Sequence, residues 1–458
     1  MSCDRRTNPT RGARAATLCA ATLATLGYAA PARAQNTEPF YYSEDAAKVA
    51  GAVVARPGDS AALHYNPAGL ASITRGRVSA NGSVFGLRVR NFDDAFQTTF
   101  GGIDEQLDLR STDVVSAPNA LSASFHLGSV TLSAGLFVTE RDVRQASDDL
   151  VDAPVPDYPG GLYTKRVEIQ RDLTKYHLGT GLGFELAKGV RLGAAVFATY
   201  RTAASIAQYA LGGTLDGGSL YENLSYNSVE TRVGLFGTVG LQADLSDRVH
   251  LGLVVRSPEV LLHSSDTGGG VYSYANTLPG AADSEFYLLE STGLRAAGTL
   301  AVPLSVTLGA MVQPTDGLEI SAEADLYTGL DNPELALDRK LTVNGRVGVR
   351  GKVSKEVVLG GGLFTDLSPA SELGAFFTDE RVDWFGGTLG ITLLTPLALA
   401  SRPDDEEGIV LSTTLAVRYA LGTGQARAFS FGDLEDETPA VDVVYHEVMP
   451  FFGSSILF

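Results

Sequence analysis

Cysteine is nearly absent: two in 458 residues, Cys3 and Cys19, both near the start of the chain. Disulfide frameworks and thiolate metal sites are therefore excluded from everything beyond residue 19. Basic residues are also scarce, with 35 Lys and Arg against 53 Asp and Glu, which argues against a nucleic-acid-binding surface. The third deficit is the most informative. Between Phe40 and Phe458 no apolar run approaches the roughly 20 residues that a membrane helix needs.

What is present begins with a leader. Arg5, Arg6, Arg11 and Arg14 precede an apolar stretch from Ala15 to Ala30, and Ala32, Arg33 and Ala34 form an A-x-A cleavage pattern before Gln35. Residues 1–34 thus read as a signal peptide. Cys19 follows Leu18 rather than a small residue, which argues against lipid modification. Removing the leader's five arginines and Asp4 leaves 30 basic and 52 acidic residues, a mature net charge of about −22.

Behind the leader, apolar and polar side chains alternate. Leu318, Ile320, Ala322, Ala324 and Leu326 interleave with Glu319, Ser321, Glu323, Asp325 and Tyr327. Leu341, Val343, Val347 and Val349 do the same against Thr342, Asn344, Arg346 and Arg350. A period of two in an exported chain predicts strands with one face in lipid and one in water, and every backbone polar group in lipid must be paired, so the sheet closes. A charge turned to lipid costs about 2–4 kcal/mol near mid-bilayer, which fixes the register. Antiparallel neighbours then set Glu319, Glu323 and Asp325 against Arg346 and Arg350 in a lumen ion-pair network, favoured here over a role in ion selectivity.

Loop lengths orient the barrel, because periplasmic turns are short and extracellular loops long. Short turns are predicted at 128–129, 187–189, 246–247, 314–317 and 354–355, and long loops at 93–118, 142–172, 204–227, 263–287, 368–381 and 423–442. Parity gives fourteen strands if residues 288–313 form one strand kinked at Pro303, since proline cannot donate to the ladder. A turn at 397–407, carrying Asp404, Asp405, Glu406 and Glu407, has no functional assignment. Trp384, Phe385, Tyr419 and Tyr445 suit aromatic girdles or lumen packing. Phe451, Phe452 and the terminal Phe458 match the end signal by which the barrel-assembly machinery recognises such chains.

Residues 48–71 carry a more specific pattern: an Ala- and Gly-rich stretch, the turn Pro57, Gly58, Asp59 and Ser60, then Tyr65, Asn66, Pro67 and Ala68. This resembles the N-terminal hatch of the long-chain fatty-acid transporter (FadL) family, which includes aromatic hydrocarbon transporters. The turn from Val312 to Gly317, containing Pro314, Thr315 and Asp316, resembles a Pro-Thr-Asp turn of the same family. The resemblance implies an all-β fold: a 14-stranded antiparallel transmembrane β-barrel over residues 76–458, with residues 35–75 as a hatch, or plug, inside the lumen. It further implies a monomer in the outer membrane of a Gram-negative cell.

The implied function is passive uptake of long-chain fatty acids or other hydrophobic compounds, captured by extracellular loops, passed to a pocket touching the hatch, and released sideways into outer-membrane lipid. Phe40, Tyr41, Tyr42, Val53, Val54 and Leu63 are the hatch residues expected near the pocket, while Asn66, Pro67 and Ala68 shape the hatch itself. Leu261, Leu262, Tyr287, Leu288 and Leu289 are expected at the capture groove. Gly135, on a third strand over residues 130–141, is the candidate bulge for a lateral opening, with an ordinary packing glycine as the competing reading. The predicted loops are rich in Asp, Ser, Gly and Tyr, which leaves the choice between fatty acids and smaller aromatic or alkane-like hydrocarbons open. A structural or accessory barrel of a secretion system and a general porin are the alternative functions.

No catalytic or metal-ligating pattern competes with this. Gly58, Asp59 and Ser60 mimic the nucleophile block of GDS-type esterases, but no Gly-x-Asn-Asp block accompanies them, and Asp442 lies four residues from His446. The six histidines, at 64, 126, 177, 250, 263 and 446, lack metal-ligand spacing, and no nucleotide fingerprint or other cofactor motif occurs.

Overall fold

The computed structural model describes residues 40–458 except 101–102, 156–159, 216, 278–282, 293–296, 336, 374–379, 398–408, 428 and 432–439. The expected leader and the acidic run at 404–407 lie outside the described residues.

The first six strands are long: β1 Arg77–Phe100, β2 Ile103–Leu127, β3 Val130–Pro154, β4 Leu162–Ala187, β5 Val190–Leu215 and β6 Gly218–Ser246. The next two are interrupted: β7 consists of Val249–Arg256 and Glu259–Asn276, and β8 of Asp283–Thr292, Leu300–Val302 and Ser305–Thr315. Both pieces of β7 pair with β6, and all three of β8 pair with β7, so each acts as one strand. The interruption after Val302 falls at Pro303, where a ladder donor is missing. Then follow β9 Leu318–Tyr327, β10 Thr342–Lys352, β11 Val357–Asp366, β12 Glu380–Pro396, β13 Val410–Arg427 and β14 Ala440–Leu457. Neighbours are antiparallel, and β14 returns to β1 from Arg77↔Leu457 to Phe92↔Val443, closing fourteen strands into a barrel.

The wall obeys the predicted alternation. On β9, Ile320 is 44% exposed on the outside whereas Glu323 is buried. Leu132, Leu136, Leu178, Leu182, Val239 and Leu308 likewise face outward in the turn-proximal halves of their strands. At the closure, the Phe458 amide donates to the Gly76 carbonyl at 3.0 Å, and a Cβ on Gly76 would lie 2.6 Å from the Phe458 ring.

Four of the predicted long loops are largely strand. Residues 93–118, 142–172, 204–227 and 263–287 mostly continue the ladders, as in Asp149↔Arg166 and Leu211↔Glu222. Above the bilayer both faces of a strand meet water or a polar lumen, so the apolar half of the period-two signal vanishes while backbone pairing continues. The third strand accordingly runs to Pro154 rather than Arg141. The four aromatics divide between the two expected places: Phe385 and Tyr419 face outward, and Trp384 and Tyr445 are buried inside.

Candidate functional site

The segment from Phe40 to Ile73 sits within the closed sheet, because its contacts come from strands all round the circumference. It starts with α1, Glu44–Lys48, capped by the Ser43 hydroxyl accepting from the Ala46 amide at 3.0 Å. The acidic first turn places Asp45 2.5 Å from Arg350 on β10, and Asp45 also pairs with Lys48 at 3.1 Å. Lys48 donates to Thr392 on β12, and the Ala50 amide donates to Thr388 at 3.0 Å. The Val54 amide donates to Glu323 on β9.

The second half is α2, Ala62–Tyr65, followed by a 3₁₀ turn over Pro67–Ser72. Asn66 joins them and is fully buried. Its amide nitrogen donates to the Val54 carbonyl at 2.8 Å and to the Leu241 carbonyl on β6 at 3.3 Å, while its oxygen accepts from the Ala68 amide at 3.1 Å. Pro67 suits the first position of the following turn because its missing N–H has no partner to lose there. Wall glycines make room: a Cβ on Gly193 would lie 2.2 Å from the Pro67 carbonyl carbon, and one on Gly240 would lie 2.0 Å from Asn66 Oδ1.

The ion-pair residues on β9 and β10 meet in register, Glu319 opposite Arg350 and Glu323 opposite Arg346. Arg350 bonds Glu319, and Arg346 lies 3.6 Å from Glu323 and 3.0 Å from Asp325. These pairs therefore hold both the wall and, through Asp45 and Val54, the inner segment.

Beyond the inner segment lies a cavity of about 160 Å³. Apolar surface comes from Phe236, Trp384, Tyr445, Ala301 and Leu337, and charge from eight Lys and Arg against four Glu among the lining residues. A buried chain of ion pairs crosses one side: Arg88 lies 2.9 Å from Asp142 and 2.5 Å from Glu447, Arg90 lies 2.7 Å from Asp113, and Arg418 bonds Glu447. A smaller space of about 60 Å³ adjoins it, lined by Phe40, Tyr41 and Val54 and sharing Arg256 and Arg418 with the larger one.

The other expected ligand residues divide. Tyr42 and Leu63 are buried in an apolar cluster with Phe137, Phe197 and Phe236, and Val53 in a second one with Tyr41 and Phe451. Leu261 is buried against Ala301, Leu335 and Leu337. Leu262 and Leu288 instead point outward, 53% and 69% exposed, because neighbouring strand residues alternate faces. Tyr287 stacks on Tyr272 at 6.0 Å, and the side chain of Leu289 lies outside the described residues.

Gly135 is not a bulge. It pairs regularly with Ser122 and Gly179, and a Cβ there would lie 2.8 Å from the Phe137 ring, so it is a packing glycine. The irregularity falls a little further on, between Val138 and Glu140, where β3 gains one residue relative to β4. It coincides with a break in the wall. β2 and β3 pair only from Leu127↔Val130 to Ala120↔Phe137; beyond that, among the described residues, β2 pairs with β1 and β3 with β4. Sequence alone does not mark the charged cavity lining, His177 or Trp384 as ligand contacts, because inward charges on the extracellular parts of strands resemble loop composition.

No family model and no curated protein matches the sequence. Solved structures do. A FadL homologue of Pseudomonas aeruginosa is similar with a TM-score of 0.56 at 13% identity, covering 91% of this chain and 98% of that one. The toluene transporter TodX of P. putida gives 0.55 at 15% identity over 92% and 99%. The toluene transporter TbuX of Ralstonia pickettii gives 0.53 at 14% identity over 92% and 99%. At such identities the likeness establishes architecture, and the chain has the fold of the FadL-type outer-membrane channels.

Proposed function

We propose that this protein is an outer-membrane channel for passive uptake of hydrophobic compounds, with residues 35–75 as its hatch. The carrying observation is the cavity itself: aromatic and aliphatic walls interspersed with ion-paired Arg and Lys, adjoining the smaller space that the inner segment lines with Phe40, Tyr41 and Val54. An apolar body gains roughly 25 cal/mol per Å² removed from water, and a polar or acidic end finds Arg and Lys side chains or the Trp384 indole N–H. Among the described residues that indole nitrogen has no hydrogen-bond partner. The lining therefore favours amphipathic compounds, of which fatty acids are one class, over unsubstituted alkanes. The solved relatives are described as a FadL homologue and as toluene transporters, which supports the same reading.

Sideways release fits the break between β2 and β3. An acyl chain that leaves an apolar pocket for lipid retains roughly 0.8 kcal/mol of favourable transfer per CH₂, which it would lose on entering water. A general porin is disfavoured by the inner segment, whose polar contacts with β6, β9, β10 and β12 leave it bonded to the wall.

Trp384 is the sole tryptophan and lines the cavity, so its fluorescence reports occupancy. Titration of the purified protein in nanodiscs with laurate is expected to give a saturable change. A response no different from that of nanodiscs carrying an unrelated single-tryptophan barrel would refute the proposal.

A further inference from the structure

His177 projects from β4 into the cavity at its boundary with the inner segment, and its surroundings are aromatic. Its ring centroid lies 5.0 Å from that of Phe236 and 6.2 Å from that of Phe197, and it stacks on His64 of α2 at 5.8 Å with 22° between planes. It is 6% exposed, and among the described residues neither Nδ1 nor Nε2 has a hydrogen-bond partner. A buried polar group left unmet is destabilising, so a site of this kind rewards a guest that supplies the missing bond.

The chemistry of the missing partner follows from the two nitrogens. One is a donor and the other an acceptor in a neutral imidazole, and a hydroxyl is the small group that serves either, since it both donates and accepts. A carboxylate serves only a donor, and an unsubstituted hydrocarbon serves neither. Phe236, Trp384 and Tyr445 line the same cavity and favour an aromatic ring beside that hydroxyl, because ring pairs gain beyond simple burial.

We infer that His177 is a specificity-determining contact for the hydroxyl of a phenol-class guest, its ring lodged in the aromatic wall of the cavity. This rests on the uptake reading and narrows its substrate class. The experiment follows Trp384 fluorescence with 4-butylphenol and butylbenzene, a pair that differs by the hydroxyl alone, in the wild type, His177→Phe and His177→Gln. The ratio of butylphenol to butylbenzene affinity is expected to fall about tenfold in His177→Phe and to recover in His177→Gln, which keeps a donor and an acceptor. Taking a ratio within each variant cancels any general loosening of the aromatic cluster. An unchanged ratio in His177→Phe overturns the inference while leaving uptake standing. Failure of the wild type to bind either compound while it still binds laurate overturns the inference alone, and failure with laurate as well overturns both.

Discussion

Asp113 on β2 accepts the backbone N–H of Gln145 on β3 at 3.0 Å, across the stretch where the two strands no longer pair. The other carboxylate oxygen accepts from Arg90 at 2.7 Å and from the Ser111 hydroxyl. Arg90 in turn reaches the Val143 carbonyl at 3.3 Å and bonds Asp142. Side chains thus satisfy backbone groups of β3 that a neighbouring strand would otherwise take, and the seam is held by a charge cluster rather than by a ladder.

Asp113→Ala removes one carboxylate from a buried guanidinium and frees the Gln145 amide. Breaking a buried pair by deleting one partner costs about 3–5 kcal/mol. The midpoint of heat-induced mobility shift on gels is therefore expected to drop clearly, with Asp113→Asn intermediate. An unchanged midpoint in Asp113→Ala would mean that the seam is held by other contacts.

Gly193 tests whether the Asn66–Pro67 turn closes the lumen. With a Cβ at 2.2 Å from the Pro67 carbonyl carbon, Gly193→Val cannot coexist with the present turn. Planar-bilayer recordings are expected to show a steady ion current for the variant and none for the wild type. Equal silence from both would place the seal elsewhere.

Arg346→Met leaves Glu323 and Asp325 buried without their shared cation, although Thr307 still donates to Asp325 at 2.7 Å. The single change is expected to destabilise by about 3–5 kcal/mol, and adding Glu323→Gln and Asp325→Asn to restore much of it. Thermal unfolding in detergent measures both, and a neutral single variant would contradict the network.

Asp266 lies on β7 well past the roughly 11 residues needed to cross a bilayer. Burial and the facing Glu230 push its carboxyl up to about 6, against the opposing pull of Arg232. A carboxyl raised in the folded state binds more protons there than when unfolded, so its contribution to stability is greatest at low pH and is lost as pH rises from about 4 through about 6. Relative to Asp266→Asn, the wild type is expected to lose thermal stability across that window and to run parallel above it. Parallel curves throughout would remove Asp266 as the cause.

The architecture was legible because lipid imposes a sharp rule on each strand. Ile320 outside and Glu323 inside follow from the price of burying charge in hydrocarbon, and the strand count follows from parity once Pro303 is treated as an interruption. The extracellular strand extensions were not legible, since Asp148 to Ala153 and their partners obey only backbone pairing. Nor was the seam, whose bulge falls at Thr139 rather than at the conspicuous Gly135. Phe40, Tyr41 and Val54 of the inner segment do line the smaller cavity, but the charged lining and His177 of the larger one beside it come from strands far apart in sequence. Only the register of the closed sheet brings them together.

Uptake by intact cells tests the central claim most directly. In a Gram-negative host lacking its own hydrophobic-compound channel, expression of this protein is expected to raise entry of labelled laurate several-fold while leaving entry of sucrose unchanged. Sucrose entering as fast as through a porin, or laurate entering no faster than in cells without the protein, would contradict it.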